Sequence, residues 1–232
     1  MTGTEGLTVR YEKDAPPALE GVTFSAAPGE RVALLGRNGA GKSTLLLALA
    51  GVVPPAAGRA FVDGIPVDRK HLDQVRRALG FVFQNPDDNL FMPTVAEDIA
   101  FGPRNFQVDE KTIAEKTASV AARLGITPLL ERPTGRLSWG EKRLAALAGA
   151  LVMDCRVLLL DEPCAFLDAP SRRALASALA ALPQTLLIAT HDLALARALC
   201  PRALILRDGR IAASGETGAL LSDEALLAGC GL

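Results

Sequence analysis

The sequence predicts an α/β protein: a mostly parallel sheet flanked by helices, with an antiparallel β part at the N-terminus and a helical insertion. Three observations carry this expectation. A glycine-rich loop, GRNGAGKS at residues 36–43, separates an apolar strand-like run from an apolar helix-like one. Two later runs, residues 157–160 and 185–189, are continuously apolar, as suits strands buried on both faces of a parallel sheet. Between these features, residues 86–150 read as mainly helical.

Each element follows from local chemistry. Over residues 5–35 the β-rich runs LTVRY, VTFSA and RVALL alternate with turn signals at Pro16-Pro17 and Pro28-Gly29. The glycine-rich loop then opens an apolar helix over 42–50, and a strand-like run over 79–83 ends at Gln84. Residues 109–124 are amphipathic at helical spacing, and 140–153 are rich in Ala and Leu. Strand–helix alternation resumes at 157 and runs to about Gly215, and a short helical tail covers 222–232. Residues 1–232 are expected to form one domain, with an α/β core from 1–85 and 154–232 and a helical subdomain from 86–153.

With 232 residues the chain can bury a sizeable core. Its net charge is −1 and its 25 basic residues are scattered, so no nucleic-acid partner is expected. No run approaches the roughly 20 apolar residues that cross a bilayer. The N-terminus has neither the basic nor the apolar region of a signal peptide, so a cytoplasmic protein is expected. Four cysteines without C-x-x-C spacing and only two histidines make no zinc site. Reduced, mostly buried thiols are expected.

The loop fits G-x-x-x-x-G-K-[ST] in the strand–loop–helix context that gives the pattern its meaning, a P-loop. Gly36, Gly39 and Gly41 allow successive backbone N–H groups to turn towards one anion. The helix N-terminus adds its positive end. Lys42 supplies a compact charge for the β- and γ-phosphates, and the Ser43 hydroxyl can ligate Mg²⁺. The nucleotide cradle is Gly36, Arg37, Asn38, Gly39, Ala40, Gly41, Lys42, Ser43 and Thr44. The apolar run 157–160 ends in Asp161-Glu162, two carboxylates that would repel each other without a cation and a water between them. Asp161 suits the Mg²⁺ shell, and Glu162 is placed to act as general base on the attacking water.

In this order, and over essentially the whole chain, the motifs resemble the ATP-binding cassette family. Gln84 in FVFQNPDD follows the phosphate loop, and LSWGE (137–141) is similar to the LSGGQ signature. Asp161-Glu162-Pro163 comes next, Phe166-Leu167-Asp168 looks like the D-loop, and His191 follows an apolar strand as the switch histidine does. The resemblance implies a P-loop NTPase core of the ABC ATPase type that binds and hydrolyses ATP with Mg²⁺. Tyr11, expected in the first strand, would stack on adenine. Gln84 would sense Mg²⁺ and the water, His191 would contact the γ-phosphate, and Asp168 would bridge two subunits. Ser138 and Gly140 would close over the γ-phosphate held by the opposite subunit. Four positions depart from the family pattern: Trp139 for glycine, Glu141 for glutamine, Cys164 for threonine and Phe166 for glycine. None removes a group assigned to catalysis, and Trp139 reads as a packing residue.

Residues 84–103, QNPDDNLFMPTVAEDIAFGP, look like the energy-coupling-factor ATPases, and the signature followed by Lys142-Arg143 resembles members that import cobalt or nickel. The implied partners are a second cassette subunit, with a homodimer favoured over a heterodimer, an integral membrane T-component and a substrate-binding membrane subunit. The chain itself would lie peripherally on the cytoplasmic face of the inner membrane. Asp87 and Asp88 would meet basic residues of the T-component or form a solvated acidic turn. The tail resembles the end of family members without an extra dimerisation segment. A vitamin importer keeps the same chemistry. A soluble cassette ATPase of DNA repair or translation is disfavoured by the roughly 50 residues between Gln84 and the signature, room only for a small helical lobe. A P-loop kinase is disfavoured by the signature and His191.

Overall fold

A computed structural model describes residues 1–12 and 14–232. The chain opens with β1 (Thr2–Val9) and β2 (Leu19–Ala26), an antiparallel pair whose outermost partners are Val9 and Leu19. Then come β3 (Arg31–Leu35) and α1 (Lys42–Leu49). A hairpin follows, β4 (Ala57–Val62) and β5 (Ile65–Pro66), turning through Asp63 and Gly64 at φ 50° and 79°. Two consecutive positive φ values are the signature of a type I′ turn, which Asp-Gly favours. Next are α2 (Leu72–Ala78), β6 (Leu79–Val82), α3 (Val95–Asn105), α4 (Glu110–Leu124) and α5 (Trp139–Leu151). The chain continues through β7 (Val157–Asp161), α6 (Ala169–Ala180), β8 (Thr185–Thr190) and α7 (Leu193–Leu199). It ends with β9 (Arg202–Arg207), β10 (Arg210–Glu216), α8 (Thr217–Leu221) and α9 (Glu224–Cys230).

The chain forms two compact units. The first comprises residues 1–79, 156–162 and 183–232; the second comprises 80–155 and 163–182. In the first, an antiparallel sheet has the order β2-β1-β4-β5, and a second sheet contains the succession β10-β9-β3-β8-β7. Within that succession β9, β3, β8 and β7 are parallel, and β10 turns back on β9. Every residue of β7 and β8 is buried, as expected of continuous apolar runs in a parallel sheet. Helices α1 and α7 pack on this sheet. In register, Leu35 lies beside Thr190 and Asp161 beside Ala189. The residues that follow β3, β7 and β8 therefore leave the sheet at one edge, the carboxyl ends where open α/β sheets bind ligands.

The second unit is built on helices with defined starts. Thr94 and Glu97 form a capping box on α3, Asp109 caps α4, and Gly125 ends α4 in the left-handed region. Helices α3, α4 and α5 pack on one another, and α6 packs on α5. No helix among the described residues is long and apolar enough to cross a membrane. All four cysteines are buried, and none is in a disulfide.

Candidate nucleotide site

The phosphate loop leaves β3 at Gly36, and its glycines are required for different reasons. A Cβ on Gly36 would lie 2.5 Å from the Leu206 carbonyl oxygen, and one on Gly41 would lie 2.7 Å from Leu19 Cδ2. Gly39 has open space around it but sits at φ 82°, a conformation that costs any other residue. Lys42, only 6% exposed, donates from Nζ to the carbonyls of Gly36 (2.7 Å) and Arg37 (3.3 Å). Burial pulls its pKa down, while the charges of Glu162 and Asp161 act the other way. Ser43 is exposed beside it, and Thr44 is buried.

Tyr11 lies beyond the first strand, not in it. The β1 ladder ends at the Val9–Leu19 pair, after which the two chains part, so the β preference of tyrosine has no partner to act on. Its ring is 62% exposed, and its hydroxyl shares a 3.1 Å hydrogen bond with Thr44 Oγ1. An exposed aromatic face is thus tethered to the first turn of α1.

Asp161 closes β7 and is 6% exposed. Glu162 follows with φ 45°, in the left-handed region that side-chain-bearing residues seldom adopt, while its N–H still donates to Ala189 O. Such strain persists only where neighbours fix it, and here they converge on the carboxylate. Thr190 Oγ1 donates to Glu162 Oε2 at 3.1 Å, and the His191 N–H donates to Oε1 at 3.0 Å. His191 Nδ1 stands 2.9 Å from the same Oε1, and Lys42 Nζ is 3.8 Å away. Against an ionised carboxylate the Nδ1 atom carries the proton, so Nε2 is the nitrogen left to face outwards. His191 itself is exposed. Thr190 was not singled out by sequence reasoning. Its signal was available: a hydroxyl at the end of an otherwise apolar buried strand needs a partner.

The remaining candidate residues lie in the second unit. Gln84 is exposed just past β6. Ser138 caps α5: its Oγ accepts from the Glu141 N–H, and the Glu141 carboxylate accepts from the Ser138 N–H at 2.7 Å. With one lone pair used in the cap, the Ser138 hydroxyl keeps its proton to give to an anion beyond the helix end. The two Ser138–Glu141 bonds form a capping box, and Arg132 Nη1 braces the Glu141 carboxylate at 2.7 Å with a charge-assisted contact. Gly140 is close-packed: a Cβ there would meet Ser171 Oγ at 2.6 Å. Asp168 caps α6 by accepting from the Ser171 N–H, and the contacts to Ser171 hold its pKa down. Trp139 is not a buried packing residue. It is 43% exposed, with its ring 5.7 Å from that of Phe166, itself 79% exposed at φ 62°. Asp87 is engaged within the chain, 2.5 Å from Lys142 Nζ.

No group of three or more His, Cys, Asp or Glu that could hold a metal occurs among the described residues. Within the first unit, the oxygen donors Ser43 and Asp161 are of the hard type that suits Mg²⁺, which takes few protein ligands and keeps water and phosphate oxygens around it.

Residues 19–165 match the ABC transporter family. A Streptomyces coelicolor protein described as an ABC transporter ATP-binding protein is 49% identical, over 96% of this chain and 85% of its own. The cobalt import ATP-binding protein CbiO of Rhodobacter capsulatus is 44% identical, over 100% of this chain and 84% of its own. Among solved structures, CbiO1 of Clostridium perfringens, part of the CbiONQ transporter complex, superposes with a TM-score of 0.86. It is 34% identical, with 98% of this chain and 93% of that one covered.

Proposed function

The chain belongs to the ABC transporter family, and on that premise we propose that it is the ATPase subunit of an energy-coupling-factor importer for cobalt or nickel. It works as a head-to-tail dimer, with a homodimer favoured, on the cytoplasmic face of the membrane. Its partners are a T-component and a substrate-binding membrane subunit. The relative named for cobalt import and the structural neighbour from a CbiONQ complex support the choice of cargo class.

The observation that carries the catalytic part is the convergence of Thr190, His191 and Lys42 on the Glu162 carboxylate at the end of a buried strand. In the proposed reaction the loop N–H groups and Lys42 hold the β- and γ-phosphates, and Tyr11 offers its exposed ring to the adenine. Ser43, Asp161 and Gln84 would hold Mg²⁺, which would supply neutralisation of the phosphate charge. Glu162 accepts a proton from water as the water oxygen bonds to the γ-phosphorus and the bond to the bridging oxygen of ADP breaks. His191 orients Glu162 through Nδ1 and presents Nε2 to the γ-phosphate. Ser138, Gly140 and Asp168 serve the site of the partner subunit. The work is positioning and electrostatics with no covalent intermediate.

The test is Glu162→Gln. ATP affinity stays within a few-fold of wild type by calorimetry, turnover falls about 10²-fold or more, and ATP traps a dimer on size exclusion. Wild-type turnover in this variant would overturn the general-base assignment.

A further inference from the structure

Two adjacent basic residues of α5 fasten its first turns to the segment that carries Gln84. Arg143 is 1% exposed, and its guanidinium donates from Nη1 to Phe83 O at 2.6 Å and from Nη2 to Gln84 O. A guanidinium cannot shed its charge on burial, so it must be hydrogen-bonded there, and its planar fork fixes the direction of every acceptor. Two consecutive carbonyls are therefore held in one orientation. Lys142, one residue earlier and pointing about 100° away around the helix, reaches the other end of the segment at Asp87 (2.5 Å), with its side chain only 15% exposed.

The segment between these anchors is itself stiff. Residues 86–88 form a 3₁₀ turn in which Asn85 Oδ1 accepts from the Asp87 N–H. Asn89 ties it back to the strand end, accepting from the Phe83 N–H at 2.9 Å and donating to Phe81 O at 3.1 Å. At the far end of the clamp, Glu141 and Arg132 lock the Ser138 cap.

We propose that Lys142 and Arg143 are positioning residues that join Gln84 and Ser138 into one rigid body, so that displacement of residues 83–88 by a membrane partner moves Ser138 with it. The proposal rests on the transport reading only for what pushes the segment; the clamp is a property of the single chain.

The test has two arms. The chain has one tryptophan, Trp139, beside Ser138, which makes its fluorescence a reporter of the α5 N-terminus. In the purified full chain, Asp87→Lys and Lys142→Asp each raise the acrylamide quenching of Trp139 about twofold, and the charge-swapped double variant restores it. Arg143→Lys, which keeps the charge and loses the fork, has the same effect; the surface charge swap stands in if that variant fails to fold. In the complex with its membrane subunits, each single variant lowers ATPase kcat several-fold with KM for ATP unchanged, and the swap restores kcat. Unchanged quenching in the singles, or no rescue in the double variant, overturns the clamp. Altered quenching with unchanged kcat overturns the transmission from segment to Ser138. If the wild-type complex itself shows no ATPase, the transport reading falls, while the quenching arm still decides the clamp.

Discussion

Lys42 combines burial with a full set of nearby acceptors. Its ammonium rests on the Gly36 and Arg37 carbonyls, and phosphate oxygens are stronger, charged acceptors for the same donor. Charge-assisted hydrogen bonds of this kind contribute about 1.5–3 kcal/mol each. Lys42→Ala is therefore expected to weaken ATP binding by roughly 10- to 100-fold, measured by calorimetry on the purified chain; unchanged affinity would count against the cradle. The loop residues were legible in the sequence because their requirement is local: the glycines serve a turn made by eight successive residues. Tyr11 was legible as a residue but not in its place, since pairing with β2 determines where β1 ends. The partners of Glu162 were only partly legible. Both His191 and Thr190 reach Glu162 across some 28 or 29 positions of sequence; His191 stood out as a histidine directly after an apolar run, whereas Thr190 is one hydroxyl at the end of that run.

Helix α3 shows how an element can carry a buried charge at a cost. Asp98 is buried, and its Oδ2 accepts from the backbone N–H groups of Phe91 (2.9 Å) and Met92 (3.1 Å), pinning the stretch before the helix. Burial raises its pKa above the ordinary 3.8, and the two N–H donors offset part of that rise. A raised native pKa means that the folded chain holds the proton more tightly than the unfolded one. Stability from this group is thus greatest below pH 3.8 and declines as pH climbs through the native pKa. Asp98→Asn removes the titration, so the urea midpoint of the variant relative to wild type should rise across that interval. A pH-independent difference would remove Asp98 as the source. Among the elements, the buried strands β7 and β8 and the amphipathic α4 were plain in the sequence. The hairpin β4–β5 was not identified, although Asp63-Gly64 is the turn pair such hairpins favour. Its strand Ala57–Val62 begins with three exposed residues, which erases the alternation that marks a half-buried strand.

At the scale of the whole molecule, the first unit gathers the phosphate loop, Asp161, Glu162 and His191, and the second carries the capped Ser138, Gly140 and Asp168. Nothing local to one chain dictates that Ser138 serves a neighbour's nucleotide, so this part of the reading came from resemblance rather than from residue chemistry. The proposed head-to-tail dimer nevertheless makes a sharp statement, because a two-fold pair repeats the same contact twice. Each site then takes its phosphate loop from one chain and its Ser138 from the other. Lys42→Ala damages the loop half and Ser138→Arg the clamp half, so either variant alone should be nearly inactive. In a mixed dimer one site receives both lesions and the other receives none. Mixing the two inactive proteins in equal amounts should therefore restore hydrolysis, to roughly a quarter of the wild-type rate if subunits exchange at random and sites act independently. Phosphate release measured against mixing ratio should peak at equal proportions and vanish on dilution below the dimer range. If no activity returns on mixing although each variant is folded, Ser138 and Lys42 do not meet across two chains.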